Sequence, residues 1–392
     1  MEKSLQNHIK TVPNHILPFI IISQFAGTSL WFAGNAIMAD LQQAFDLPAG
    51  SLGNITSAVQ LGFIGGTLTF AFLVIADRFS PSKVFFVSAT LGALANLSIY
   101  LFADGYWGIL IFRWLTGFFL AGVYPIGMKI AADWYAKDLG KALGYLVGAL
   151  VLGTAFPHFL RFQGQSLPWS AILLTTSAVA FMGGLLILFG VGDGPFRKKG
   201  GQFKPGVIVE IFSFREFRAA AYGYFGHMWE LYAFWAFVPV ILQTNPAFKA
   251  SLSLWSFLII GMGSLGCMLG GYWSLRKGSR TVAMAMLLTS GLCCLFSPLA
   301  FQLPLVFFLA FLLLWGFAVV GDSPQFSTLV AQTAPPLYIG SALTIVNCIG
   351  FSITIFSIEL INWLNIQYAS EWIYWTLLPG PVLGLIGVWK RK

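Results

Sequence analysis

Apolar runs long enough to cross a bilayer recur from one end of this chain to the other, which excludes a water-soluble globule. A spanning helix needs about 20 predominantly apolar residues. Runs bounded by Gly, Pro, Asn or charge fall at 14–39, 52–75, 84–102, 107–133, 142–160, 169–191, 219–242, 252–275, 281–301, 304–329, 341–362 and 372–389. Of the 392 residues, 57% are hydrophobic and 9% carry Asp, Glu, Lys or Arg, against about 25% charged in an ordinary soluble domain. The expected fold is an all-α polytopic membrane protein with 12 transmembrane helices.

A formal charge of +8 would suit a nucleic-acid partner if the basic residues shared one surface. They sit instead between the apolar runs, and on one side of the bilayer. Lys3, Lys10, Arg78, Lys83, Lys137, Lys141, Arg197, Lys198, Lys199, Lys204, Arg215, Arg218, Arg276, Lys277, Arg280, Lys390, Arg391 and Lys392 fall in one set of connections, and only Arg161 and Lys249 in the other. By the positive-inside rule both termini are expected in the cytoplasm, with the chain multi-pass in a bacterial cytoplasmic (inner) membrane and without a nucleic-acid partner. Basic residues precede the first run, but no small-residue cleavage site follows it, so that run is expected to be retained.

Several chemistries are not expected. Cys267, Cys293, Cys294 and Cys348 lie inside apolar runs, where they read as packing residues rather than disulfides or metal ligands. The chain has no G-x-x-x-x-G-K-[ST] loop, no H-E-x-x-H and no G-x-S-x-G, and His8, His15, His158 and His227 are dispersed. Neither an enzyme nor a metal or other cofactor is expected, and ATP is not the direct energy source.

The longest hydrophilic stretch, 192–218, reads as a cytoplasmic linker between an N-terminal bundle (1–191) and a C-terminal bundle (219–392). Its 207–217 portion has the pattern of an interfacial amphipathic helix, or of an ordered strap. The halves resemble each other at a shift of about 200 residues. Gly117-Phe-Phe-Leu-Ala-Gly122-Val-Tyr-Pro125 matches Gly316-Phe-Ala-Val-Val-Gly321-Asp-Ser-Pro324; Gly140-Lys-Ala-Leu143 matches Gly340-Ser-Ala-Leu343; Gly62-Phe-Ile-Gly65 matches Gly263-Ser-Leu-Gly266. Three matches in order at a nearly constant offset indicate two pseudo-symmetric six-helix bundles.

Four local motifs give this architecture a family likeness. Asp77-Arg78-Phe-Ser-Pro-Ser-Lys83 resembles the gating loop between spans 2 and 3 of the major facilitator superfamily, although Leu73 and Ser80 stand where glycines occur there and Pro81 and Ser82 replace basic residues. Arg113-x3-Gly117 is similar to that superfamily's fourth-helix arginine motif. Tyr124-Pro125 followed by Trp134-Tyr135 and Gly140-x-Ala-Leu143 resembles its organic- and inorganic-anion branch. His227-Met-Trp-Glu-Leu-Tyr-Ala-x-Trp235 resembles a bacterial subgroup. The resemblance implies a secondary-active transporter working by alternating access, with Asp77 and Arg78 as gating residues. Span 5 carries Gly144, Gly148, Gly153 and Pro157 but lacks the Gly-Pro pair of the superfamily's drug/proton antiporters.

Charged side chains near the bilayer centre cost about 2.5–3.5 kcal/mol each on insertion scales, so those present call for a reason. Arg113 either binds an anionic group through its planar fork or braces neighbouring backbones. Lys129 either contacts the same anion or pairs with Asp133 one turn on. Glu230, with His227 three residues earlier, is either a proton relay or a neutral carboxyl hydrogen-bonded to Tyr or His across helices. Asp322 either pairs with Lys129 across the halves as a gate or carries a proton itself. Glu359 reads as interfacial, and His158 either lines the periplasmic mouth or is a hydrogen-bonded packing histidine. Trp31, Asn35 and Tyr124 complete the expected substrate site with Arg113 and Lys129.

The functional expectation is proton-coupled symport of a small organic anion by a monomer. Its partners are then an anionic small molecule, protons and the lipid bilayer. The alternative is proton-driven efflux of amphipathic compounds.

Overall fold

The structure, a computed structural model, describes residues 12–135, 139–164, 166–197, 205–368 and 370–389. Among them eleven helical stretches are long and apolar enough to cross a membrane, and Ile16–Thr28 is a shorter apolar helix. Together they supply the twelve expected spans. Span 1 begins with Ile16–Thr28; span 2 is Ser51–Phe72, span 3 Pro81–Phe102, span 5 Leu139–Gln163, span 7 Arg215–Gln243, span 8 Leu252–Lys277, span 9 Ser279–Ala300 and span 11 Ile339–Tyr368. Span 6 runs from Ser170 to Val191, with a π-helical last turn, and span 12 from Glu371 to Trp389, with a 3-10 first turn.

Spans 4 and 10 are each broken at the same place in the repeat. Span 4 consists of Tyr106–Leu120 and Tyr124–Trp134, and span 10 of Leu305–Gly321 and Ser323–Thr333. In both, the glycine and proline of the duplicated Gly-x-x-Pro bracket the break, and the proline sits in the first turn of the second piece, where its missing N–H costs nothing. The break is thus written into the strongest match between the halves.

The glycine register differs by one residue from the alignment read off the sequence. A Cβ at Gly66 would meet the Phe118 carbonyl, and one at Gly266 the Phe317 carbonyl; a Cβ at Gly117 would meet the Val59 carbonyl, and one at Gly316 the Ile259 carbonyl. Gly66, not Gly65, is therefore the counterpart of Gly266. Gly65 and Gly66 are adjacent and identical, so the sequence alone did not distinguish them.

Span 1 is not the single helix expected over 14–39. It stops at Thr28 and resumes as Ala33–Ala36 and Met38–Phe45. Thr28 Oγ1 donates to the Gln24 carbonyl (2.8 Å) and Ser29 Oγ to the Ala26 carbonyl (2.7 Å), the side-chain back-bonding that bends helices. Likewise, only a short helix, Ile208–Ser213, forms within 207–217, and span 7 already begins at Arg215.

The halves meet along spans 2 and 11, 1 and 7, and 5 and 8. Spans 5 and 8 approach through glycine: a Cβ at Gly148 would lie 3.1 Å from Ser264 Oγ, and one at Gly144 3.9 Å from the Gly271 Cα. At the end carrying the 1–2 connection, Asn362 Nδ2 of span 11 donates to the Gly50 carbonyl (2.9 Å) and Ser57 Oγ of span 2 donates to Glu359 Oε1 (2.6 Å). Glu359, expected at the membrane interface, also joins the two halves.

Candidate functional site

Below those contacts an aromatic barrier fills the middle of the protein. Trp31 stacks on Tyr232 (ring centroids 5.7 Å) and on Phe351 (5.8 Å), Phe63 packs on Phe351 at 4.5 Å, and Phe32 meets Trp235 edge-on at 6.2 Å. These rings come from spans 1, 2, 7 and 11, so both halves contribute. Trp31, Tyr232 and Trp235 are fully buried, whereas Tyr124 and Asn347, further toward the linker end, keep partial exposure. The barrier therefore closes the 1–2 connection end more completely than the linker end.

A polar cluster adjoins the barrier. Tyr124, at the break in span 4, lies near Tyr224 and Tyr232 of span 7. Tyr224 donates its hydroxyl proton to Asn347 Oδ1 at 2.8 Å. Nearby His227 and Asp322 are both wholly inaccessible, and His227 Nδ1 lies 2.7 Å from Asp322 Oδ1. Their approach is an ion-pair distance off ideal hydrogen-bond alignment, and His227 Nε2 and Asp322 Oδ2 have no other hydrogen-bond partner.

The break in span 10 explains why the carboxylate points here. Asp322 is the residue between the two helical pieces, its carbonyl accepting from the amides of Gln325 and Phe326. Its counterpart in span 4 is Val123, which is buried and apolar. One half thus carries an acid where the other carries a hydrocarbon.

The expected relay between His227 and Glu230 does not form. Glu230 turns to spans 9 and 10, where its carboxylate accepts from Ser290 Oγ (2.9 Å), Cys294 Sγ (3.2 Å) and Trp315 Nε1 (2.6 Å). A three-residue step puts two side chains on adjoining, not identical, faces of a helix, and each found its own partner. Nor does Asp322 reach Lys129. Lys129 Nζ instead pairs with Asp77 Oδ1 at 2.7 Å, and it pairs with Asp77 rather than Asp133.

Arg113 is fully buried, and both terminal nitrogens of its guanidinium are engaged inside the N-terminal half, while Nε has no partner. Nη1 donates to the Leu30 carbonyl (3.0 Å) and to Asn96 Oδ1 (3.2 Å), and Nη2 donates to the Trp31 carbonyl. These carbonyls belong to the break in span 1. Backbone freed from a helix at membrane depth needs a replacement partner, and Arg113 supplies it. In this structure Arg113 makes the contacts of the brace reading. Asn35 is likewise internal, donating to Thr56 Oγ1 of span 2 at 2.8 Å.

At the linker end, the 2–3 loop is held by residues that its motif did not reveal. Asp193 Oδ1 accepts from Ser80 Oγ (2.8 Å), Ser82 Oγ (2.9 Å) and the Ser82 amide (3.1 Å). Arg197 pairs with Asp193 Oδ2 (3.1 Å) and donates to the carbonyls of Asp77 and Phe79. Partial burial disfavours the charged form of Asp193, but these hydrogen bonds and Arg197 outweigh it and hold the carboxyl below its usual range. Arg78 stands over the Phe79 ring at 5.7 Å. Arg197 thus takes the place of the basic residues missing at Pro81 and Ser82.

The remaining residues fall into place. His158 is buried with Nε2 unpartnered, and Arg161 pairs with Asp40 at 2.7 Å. All four cysteines are free and buried, and no group of three or more potential metal ligands occurs among the described residues. Lys137 and Lys141 lie outside the residues whose side chains are described.

Comparison with known proteins matches residues 20–358 to the family described as the Major Facilitator Superfamily. An uncharacterized protein of Campylobacter jejuni is 25% identical over 314 residues, covering 76% of this chain and 91% of its own. A putative metabolite transport protein of Haemophilus influenzae is 30% identical over 159 residues, or 39% of this chain and 36% of its own. Among solved structures, a D-xylose-proton symporter aligns with a TM-score of 0.79 at 15% identity, covering 97% of this chain and 98% of that one. A bacterial homologue of the human lysosomal transporter Spinster, in an inward-facing and unoccupied conformation, aligns at 0.68 and 13% identity, over 97% and 95% of the two chains. At these identities the likeness is one of fold.

Proposed function

The chain belongs to the major facilitator superfamily, and from that premise we propose that it is a proton-coupled carrier in which the His227–Asp322 pair takes up the proton. The single observation that carries the reading is that pair: two buried ionisable groups 2.7 Å apart, at the break of a span, with one nitrogen and one oxygen uncompensated. A proton on the pair changes its net charge, and burial makes that change felt in the packing around it. Binding then biases the two inward- and outward-open arrangements through their different affinities for proton and solute. In the orientation set by the basic connections, the linker faces the cytoplasm of a bacterial inner membrane.

The solute class follows from what the interior offers. Arg113 and Lys129, the cations expected to bind an anion, are both engaged inside the N-terminal half. Near the seam stand Tyr124, Tyr224, Asn347 and the Trp31–Tyr232 stack. Hydroxyl and amide donors beside an aromatic platform suit a small polar solute with its own hydroxyl or carbonyl groups. A small organic anion is the second reading, favoured by His227, which becomes a cation within the cluster when protonated. The aromatic barrier would equally serve efflux of an amphipathic compound, in which case the proton gradient drives the solute outward.

Reconstitution in liposomes tests the proposal. Under an imposed pH gradient, a panel of polyols, sugars and carboxylates is offered while a dye reports internal pH. Saturable solute movement coupled to proton movement is expected, with coupling lost in Asp322→Asn. Solute flux that moves no protons, or full coupling in that variant, overturns it.

A further inference from the structure

A second polar site lies outside the aromatic barrier, at the lipid-facing edge of the seam where spans 2, 4 and 11 meet. A groove of about 550 Å3 opens there. Its rim is apolar and faces outward: Leu61 is 50% exposed and Trp107 74%. A solvent-facing groove of this character would be costly, but in a membrane protein it faces lipid chains. Its floor is not apolar. Glu359 lines it, at an intermediate burial, and so do Ser57, Asn54 and Tyr106. No basic side chain lies within ion-pair distance of Glu359 among the described residues.

The chemistry of the floor selects the occupant. Glu359 accepts one hydrogen bond, from Ser57 Oγ at 2.6 Å, which leaves most of its acceptor capacity open. Asn54 Nδ2 donates to the Tyr106 hydroxyl oxygen, so the phenolic proton of Tyr106 is free to donate to a further acceptor. An unpaired carboxylate and an available phenolic proton lie in one groove, near the end of the spans where the 1–2 connection sits. Lateral access restricts the ligand to molecules already in the bilayer, and a carboxylate in low dielectric favours a cationic N–H donor.

We propose that this groove binds a phospholipid with a primary-ammonium headgroup: the ammonium on Glu359, a phosphate oxygen on Tyr106, and the acyl chain along Leu61 and Trp107. The tryptophan is of the kind that settles at the headgroup level of a bilayer. Because Ser57 belongs to the N-terminal half and Glu359 to the C-terminal half, the headgroup sits on a contact that must part when the 1–2 connection end opens. The lipid is thereby a ligand of one transport state, independent of which solute the central site carries.

Native mass spectrometry of the purified carrier in detergent tests this with phosphatidylethanolamine and phosphatidylcholine of identical acyl chains. Phosphatidylcholine has the same phosphate but no N–H to donate. Retention of phosphatidylethanolamine about tenfold above phosphatidylcholine is expected, the ratio of one charge-assisted hydrogen bond. Glu359→Gln should abolish that preference. Ile111→Trp, which fills the outward rim without touching the seam, should lower retention of both lipids. Water-soluble glycerophosphoethanolamine should not compete, since it lacks the chain. Equal retention of the two lipids by the parent protein, unchanged preference in Glu359→Gln with unchanged retention in Ile111→Trp, or competition by the soluble headgroup would each overturn the proposal.

Discussion

Lys129 and Asp77 meet at 2.7 Å inside the N-terminal half, each side chain about one-fifth exposed, so the lysine of span 4 locks the 2–3 loop to its own bundle rather than to the opposite one. Reversing the charges together, Asp77→Lys with Lys129→Asp, should recover transport lost in either single variant. The same reversal of Lys129 with Asp322 should recover nothing. At this exposure the coupling in a double-mutant cycle on melting is expected to be about 0.5–1 kcal/mol.

Arg113→Ala is expected to fail as a fold and not as a binding site. Removal of the guanidinium strands the carbonyls of Leu30 and Trp31 and Asn96 Oδ1, at about 1–3 kcal/mol for each unsatisfied group. Thermal melting in detergent should show the loss in the absence of any solute. Normal melting with weakened solute binding would return Arg113 to the substrate site.

Asp322→Asn and Glu230→Gln should separate cleanly. The first is expected to abolish accumulation driven by a pH gradient while solute counterflow persists. The second replaces one acceptor oxygen of a carboxylate held by Ser290, Cys294 and Trp315 with a donor. It should lower stability by about 1–3 kcal/mol and leave coupling in place. Parallel counterflow and accumulation measurements on both variants check the assignment.

The Asp193 latch predicts a pH dependence with a definite sign. Its carboxyl titrates lower folded than unfolded, so its stabilising contribution is present above the unfolded value of about 3.9 and disappears as pH falls through the folded one. Asp193→Asn should therefore melt below the parent protein at neutral pH, with the gap closing as pH drops below about 4. A gap constant with pH would show that the hydrogen bonds, not the charge, hold the loop.

Gly117→Ala and Gly316→Ala should be comparably damaging, because a Cβ at each would overlap a backbone carbonyl, Val59 in one case and Ile259 in the other. Overpacking costs typically run about 1–3 kcal/mol, and backbone cannot move aside as a side chain can. Expression yield and melting of the two variants measure it. Gly65→Ala, whose Cβ would have its nearest neighbour at 3.5 Å, should be mild.

The span count and the repeat were legible in the sequence because hydrocarbon thickness and glycine–proline punctuation act locally. The break in span 1 was not legible, since its cause lies partly in Thr28 and Ser29 and partly in Arg113, 82 to 83 residues away. The site residues show the same division. Sequence singled out Arg113, Lys129, His227, Glu230 and Asp322 correctly as groups needing partners, but spacing along one helix does not tell which neighbouring helix supplies them. Asp193 and Arg197 escaped notice as a latch because a linker is polar everywhere, and nothing in its composition tells which of its charges meets the 2–3 loop.

The matched breaks in spans 4 and 10 have a further implication. Duplication gave both bundles the same hinge, yet Val123 fills one and Asp322 the other. The two breaks are thus alike in backbone and unlike in chemistry: one carries the bend alone, the other carries the bend and an ionisable group. On the proposed function, protonation would act directly on one bundle only, and the paired spans 2 and 11, 1 and 7, and 5 and 8 would carry its effect to the other.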